Sequence, residues 1–314
     1  MWEFRVKKSD RLDRLLRGEV FPGAEWLSRQ AWDWLLDNCL VEVNGRKCSK
    51  SGVVVAEGSE VLVRFPAMPL ELRKAEKAAE LLWCDGSLVV FSKPCGMPTV
   101  PLFPWESNAL ANSAAAALEE KGFLPAAGFA ALSTPPVLEG GLLQRLDSNT
   151  SGIVCAALNG NTKSLFRQLF SGSRIEKTYL AIVSGELDRA RGDHQVWINS
   201  QGGPKVKASL VAPKAADEVS VLKVVFEKKA GNRALIRIRT SQGARHVVRA
   251  GMAALGAPLV GDELYGGEVC APFHQLHALS LRLLDENAYP GFPADMEAPL
   301  PLSFLDSLRT LGLE

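Results

Sequence analysis

An aspartate placed directly before a polar turn is the residue of this chain best positioned to do chemistry. In the run Leu143-Gln144-Arg145-Leu146-Asp147-Ser148-Asn149-Thr150-Ser151-Gly152-Ile153-Val154 the carboxylate lies between apolar, strand-like stretches, at a turn of Ser, Asn, Thr, Ser and Gly. A turn of that composition belongs on a loop at a sheet edge, where a substrate can reach it. Spacing alone equally allows an Asx turn, in which Asp147 only bonds the amides of residues 149 and 150. No second acidic residue shares a motif with Asp147, which argues against a glycosidase working with paired carboxylates. Two further runs carry chemistry-bearing side chains: Lys177-Thr178-Tyr179-Leu180-Ala181 and Gly243-Ala244-Arg245-His246-Val247-Val248-Arg249.

The elements that must hold these residues follow from periodicity. Leu12, Leu15 and Leu16 recur at helical spacing, and Trp26, Leu27, Ala31, Trp34 and Leu35 mark a second amphipathic helix with Ser28 as its N-cap. The run from Val41 then alternates and turns at Asn44-Gly45, and residues 53–65 read as two strands around Glu57-Gly58. Pro66 and Pro69 break the pattern, so a linker is expected at 66–75. Beyond it, residues 81–93 give two strands about Asp85-Gly86, leading into a Pro/Gly loop that holds Lys93. Helices are expected at 107–121 and 160–171, a mobile surface loop at 122–140, and strands at 177–183, 194–198, 205–212, 219–226 and 233–240. Helices interspersed among strands without βαβ regularity predict an α+β fold: a small N-terminal domain over residues 1–70, of two helices plus short strands, and a larger, mixed, mainly antiparallel sheet domain over 76–314.

Composition excludes several classes. With 47% apolar and 23% charged residues in a chain of 314, the sequence can bury a sizeable core and is not a disordered polymer. No apolar run reaches the ~18 to 20 residues of a membrane helix, and the opening MWEFRVKKSD lacks the apolar stretch of a signal peptide, so a cytoplasmic protein with no membrane partner is expected. Cys39, Cys48, Cys84, Cys95, Cys155 and Cys270 are widely spaced, with no CxxC pair, which leaves no zinc ribbon or disulfide scaffold and predicts buried thiols. The net charge of +1 conceals an asymmetry: residues 141–249 carry 18 basic and 8 acidic groups, whereas residues 250–314 carry 2 and 9. A surplus of ten cations in one stretch suits a polyanion, although solvated strand faces balanced by the acidic C-terminal part would read the same way.

Two resemblances sharpen the expectation. Arg11-Leu12-Asp13, Ser28-Arg29 and Val41-Glu42-Val43-Asn44-Gly45 resemble the S4 RNA-binding domain, which implies RNA-facing roles for Arg29, Arg46, Lys47 and Lys50. The run Arg145-Leu146-Asp147 with Thr150-Ser151-Gly152 resembles the RLD-x-x-TSG signature of the RluA-type pseudouridine synthases. Further landmarks fall in that family's order: Lys93-Pro94-Cys95-Gly96, the Lys177 to Gly185 strand, Gly256 to Gly266, and Leu276-His277-Ala278. The resemblance covers about residues 80–305 and implies a pseudouridine synthase type of catalytic domain, needing no cofactor and no metal, whose partner is ribosomal or transfer RNA. By the same resemblance Asp147 is the essential carboxylate, Arg145 helps to hold the target nucleotide out of its stack, and Tyr179 packs on the uracil. Lys93, Arg245 and Arg249 complete the basic groups expected to face RNA.

The chain departs from the family pattern at three places. Gln144 stands where a His is usual, Ala244 where an Arg is usual, and Val247 where a Gln is usual. A buried Arg normally pairs with the aspartate, and Arg245 is the candidate for that partner, provided that a bulge or a helix start turns it inward. The expectation is therefore an RNA pseudouridine synthase, with a divergent RNA-binding protein of the same fold but impaired turnover as the alternative. A monomer is the default oligomeric state.

Overall fold

The computed structural model describes residues 2–18, 29–38, 40–64, 72, 74–102, 106–133, 138–200, 203–213, 218–294 and 296–314. They pack as two compact units: Met1–Ala78 with Val100–Gly140, and Ala79–Thr99 with Gly141–Glu314. Against an expected continuous region over 76–314, residues 100–140 thus group with the N-terminal part. The expected N-cap Ser28, the helix positions Trp26 and Leu27, and most of the 66–75 linker lie outside the described residues.

The first unit begins with a strand absent from the sequence reading, β1 (Trp2–Arg5), followed by β2 (Asp10–Arg11), α1 (Leu12–Gly18), α2 (Arg29–Asp37), β3 (Val41–Val43), β4 (Arg46–Lys47), β5 (Val54–Val55) and β6 (Glu60–Val63). The helices bury Leu12 and Leu16, and Trp32, Leu35 and Leu36, on faces set by the i, i+3, i+4 spacing. Asn44 and Gly45 both take positive φ, 49° and 74°, as a two-residue turn joining β3 to β4 requires. The strands flanking Glu57-Gly58 do not pair with each other. β5 pairs with β2, whereas β6 lies between β1 and β3 and buries Val61 and Val63 in the core. Later in the chain α3 (Leu110–Glu120) forms as its Ala-rich sequence predicts. Part of the expected loop is also helical: α4 (Ala126–Ala131) wraps the fully buried Phe129.

The second unit is built on β7 (Glu80–Cys84), β8 (Leu88–Lys93), β9 (Ser151–Ala157), α5 (Gly160–Ser171), β10 (Ile175–Ser184), α6 (Leu187–Ala190), β11 (Gly192–Asn199), β12 (Lys207–Ser209), β13 (Glu218–Ala230), β14 (Arg233–Thr240), α7 (Val247–Ala254), β15 (Leu276–Leu283) and α8 (Leu302–Thr310), with a 3-10 turn at Glu263–Tyr265. Nine strands form one sheet in the order β12-β11-β13-β14-β10-β15-β9-β8-β7. Every pairing is antiparallel except β15 with β9, where His277 and Ala278 face Ser151 and Gly152. Gly152 has φ +117°, and a Cβ there would stand 2.1 Å from the Ala278 carbonyl oxygen, so only glycine permits this junction. One sheet face and α7 share a core that includes Val196, Leu222, Val224, Ile236, Val248 and Met252. The mixed α+β, mainly antiparallel architecture is the one expected from the sequence. Of the five cysteines described, Cys155 alone is buried, Cys270 is exposed, and the other three are intermediate, which corrects the expectation of buried thiols.

Candidate active site

Asp147 ends the segment that enters β9, beside the parallel junction of the sheet. Its main-chain carbonyl accepts from the Thr150 amide at 3.0 Å, which closes the turn. Its carboxylate is not spent in an Asx turn: Oδ2 accepts from Arg249 Nη1 at 2.7 Å, and the side chain keeps 28% of its surface exposed. Arg249 projects from the first turn of α7 and is buried. It bridges two acids, because its Nε and Nη2 donate to Asp262 Oδ2 and Oδ1 at 2.7 and 2.8 Å. Burial would lower the Arg249 pKa, but the bonds it donates to the two carboxylates outweigh it and raise the value. Asp262, 1% exposed and held on both oxygens, is closed to a substrate. The geometry therefore leaves one accessible carboxylate, presented on a rigid guanidinium.

The turn is clamped from the other side by residues 93–99. Lys93, 1% exposed, donates from Nζ to the carbonyls of Pro94, Met97 and Ser148 at 3.0, 2.6 and 2.9 Å. Cys95 Sγ lies 3.1 Å from the Asn149 carbonyl. Thr99 Oγ1 accepts from the Leu146 amide at 3.0 Å and donates to the Leu146 carbonyl at 2.7 Å. The backbone is thus held on both flanks of Asp147. Burial brings the Lys93 pKa down to about 8, against the opposing charges of Cys95 and Asp147. A lysine whose ammonium is enclosed by three carbonyls does not face RNA, and the RNA-facing expectation for Lys93 is corrected accordingly.

Tyr179 lies on β10, half-buried, and its pKa is raised by burial and then by the charge of Asp147, which places the phenol in the carboxylate's field. No side chain among the described residues bonds its hydroxyl. Arg145 is exposed two residues before Asp147. Lys177 is buried under the segment that leads into α7: Nζ donates to the Gln242 carbonyl at 2.8 Å and stands 5.8 Å from the centre of the Phe170 ring. Burial lowers its pKa to about 8.

The expected pairing of Arg245 with Asp147 is not formed. Arg245 is exposed, and its Nη2 donates to the Gly203 carbonyl at 2.6 Å, because the chain enters α7 through a turn and the next inward position on the helix is Arg249. Arg249, expected to face RNA, is instead the partner of the aspartate. Arg46, Lys47 and Lys50 are exposed in the first unit, while the side chain of Arg29 lies outside the described residues. The departure at Gln144 is structural: its amide oxygen accepts from the Cys155 amide at 3.2 Å and braces β9.

Several residues of the site were not singled out from sequence. Asp262 and Tyr265 belong to the Gly256 to Gly266 landmark, whose order along the chain could be read but not its arrival beside α7. His246 Nε2 stands 3.5 Å from Asp147 Oδ1, and burial lowers its pKa. His274 Nε2 is 2.8 Å from Thr150 Oγ1, and burial followed by the charge of Arg249 takes its pKa to about 4. His277 joins the parallel strands, with Nδ1 2.9 Å from Ser151 Oγ and Nε2 3.1 Å from the Ala298 carbonyl oxygen. Among the described residues there is no cluster of His, Cys, Asp and Glu suited to a metal ion, and no helix long and apolar enough to cross a membrane.

Comparison with known proteins is consistent with this geometry. A family model described as RNA pseudouridylate synthase matches residues 87–254. A Mycoplasma pneumoniae protein described as an uncharacterised RNA pseudouridine synthase is 27% identical over 323 residues, covering 99% of this chain and 96% of its own length. The ribosomal large subunit pseudouridine synthase D of Borreliella burgdorferi is 24% identical over 311 residues, covering 92% and 87%. Among solved structures, human RNA pseudouridylate synthase domain containing 4 has a similar fold, with a TM-score of 0.55 at 19% identity over 75% of this chain and 94% of that one.

Proposed function

The chain belongs to the RNA pseudouridylate synthase family, and from that membership we propose that it converts uridine to pseudouridine in ribosomal or transfer RNA with Asp147 as the essential carboxylate. The observation that carries this reading is the accessible Asp147 carboxylate fixed at 2.7 Å on the buried Arg249, with Tyr179 in its field. In the reaction the bond from ribose C1′ to N1 of the base breaks, the base turns, and C5 bonds to C1′. C5 then loses its proton and N1 gains one. Asp147 either adds to C1′ or takes the 2′-proton; its Oδ1, which accepts nothing from Arg249 and keeps a lone pair beside its contact with His246, is the oxygen for either step. An enzyme acting on a stacked base must first take it out of the stack, at about a few kcal/mol, and the exposed Arg145 is the residue proposed to hold that nucleotide. The phenol of Tyr179, kept protonated by its surroundings, offers a flat surface against the uracil.

The N-terminal part is proposed as an S4-like RNA-binding domain that presents Arg46, Lys47 and Lys50. The substitution at position 244 does not favour the reading of impaired turnover, since Arg249 supplies the guanidinium. The test is to incubate the protein with total RNA from cells lacking it and to map new pseudouridines by carbodiimide primer stops, with Asp147→Asn alongside. Product that requires Asp147 is expected. Salt-sensitive RNA binding with no product from the unaltered chain would overturn the proposal in favour of a binding protein.

A further inference from the structure

His246 occupies a backbone conformation uncommon for any residue with a side chain: φ 56° and ψ 20°, in the left-handed region, at the residue that caps α7. A glycine or asparagine would take the same place with less strain, so the imidazole itself must do something there. Its two nitrogens face different groups. Nδ1 lies 2.9 Å from Tyr265 Oη, and Nε2 lies 3.5 Å from Asp147 Oδ1. Tyr265 Oη already accepts from the Val206 amide at 3.0 Å.

Counting protons fixes the tautomer. With one lone pair taken by the Val206 N–H, the tyrosine hydroxyl directs its own proton at Nδ1, and the ring proton then resides on Nε2, the nitrogen nearer the carboxylate. The opposite tautomer would leave the phenol proton without a partner and turn the Nε2 lone pair against Asp147. The doubly protonated ring is disfavoured by burial and by the neighbouring charges of Arg249 and Arg245, with Asp147 and Asp262 opposing them. We infer that His246 is a positioning residue for Asp147: Tyr265 holds its imidazole in the Nε2-protonated form, so that the carboxylate is oriented by two donors, Arg249 on Oδ2 and His246 on Oδ1. The Nε2 to Oδ1 separation is about 0.6 Å longer than a full N–H···O bond, a gap that tightens when ribose and base fill the site. Tyr265 is itself anchored to the 203–206 segment, which Arg245 also grips through the Gly203 carbonyl. The register of that segment therefore reaches Asp147 through one tyrosine and one histidine.

This inference rests on the reading of Asp147 as the reacting carboxylate, and the experiment separates the two. Imidazole nitrogen shifts from 15N-histidine-labelled protein should report His246 protonated on Nε2, and Tyr265→Phe should release it to a mixture of tautomers. Single-turnover formation of pseudouridine in protein-free total RNA from deletion cells should slow by about 10- to 100-fold in His246→Asn, with retention of that RNA on filters unchanged. Asparagine tolerates the left-handed backbone, and a thermal melt checks that the variant folds. An Nδ1-protonated ring in the unaltered chain, or full turnover in folded His246→Asn, overturns the inference. If His246→Asn does not fold, the nitrogen shifts of the unaltered chain and of Tyr265→Phe decide it. Full turnover in Asp147→Asn would instead overturn the reading beneath it.

Discussion

Arg249 concentrates the energetics of the site, since one guanidinium satisfies an accessible acid and a buried one. Replacing it with Met strands Asp262 without a counterion in a position 1% exposed, which should destabilise the protein by about 3–5 kcal/mol in urea unfolding. Arg249→Lys restores a charge but not the fork, so it should recover part of that stability while turnover stays at least ~100-fold down. Equal turnover in the Lys variant would mean that the bidentate geometry is dispensable. The histidines make a separate prediction about acid. His274, His246 and His277 all have pKa values below the ordinary 6.5 in the folded chain, His274 at about 4. Between those values and 6.5 the unfolded chain binds more protons, so stability is lost as pH falls through that window, by roughly 3 kcal/mol from His274 alone. Urea midpoints at a series of pH values between 7 and 4 should decline, and the decline should be shallower in His274→Asn, whose side chain does not titrate. Asp147 was legible in the sequence because a turn motif surrounds it; its partner was not. Periodicity assigns no inward face to residues 243–249, since that face exists only once the chain turns through His246 and starts α7.

At the scale of elements, the turn that carries Asp147 is held by a second loop as well as by its own hydrogen bond. Thr99 supplies both a donor and an acceptor to Leu146, and Lys93 supplies three donors, one of them to Ser148. Thr99→Val should cost about 1–3 kcal/mol, because a part-buried amide and carbonyl lose their partner together, and Lys93→Met about 3 kcal/mol. Turnover should fall further than stability explains, since Asp147 moves with Leu146 and Ser148. Melting curves paired with single-turnover rates check this; a rate preserved in folded Thr99→Val would show that the turn holds Asp147 unaided. Lys93 was expected to face RNA as one of the basic groups of the resemblance, and only the meeting of residues 93–99 with 146–149 encloses it. Alternation located most strands of the large sheet, and α5 came out at residues 160–171 as expected, with Asn159 accepting from the Thr162 amide as its cap. Short strands were harder: the expected run at 205–212 shrinks to β12, Lys207–Ser209, and β1 escaped notice because four residues give too little alternation to read.

Over the whole molecule, residues 1–70 and 99–140 fall almost entirely within one compact unit. The Ala75 amide donates to the Asn112 carbonyl at 3.2 Å, and Lys74 pairs with Glu119. Removing residues 1–70 would leave these two contacts in place but truncate the compact unit to which 100–140 belong, and a lost RNA preference could not be assigned to the deleted part alone. Charge neutralisation is the cleaner probe. Arg46, Lys47 and Lys50 are exposed, and no carboxylate among the described residues pairs with them, so Arg46→Gln, Lys47→Gln and Lys50→Gln combined should leave the fold intact. If all three meet phosphates, the slope of log affinity against log salt becomes shallower by about 2 to 3, because each contact releases a little under one counterion. Turnover with enzyme in saturating excess should stay the same, since the charges lie outside the unit that holds Asp147. An unchanged salt slope would remove the N-terminal unit from RNA recognition, leaving the basic surplus of residues 141–249 as the surface that meets the polyanion.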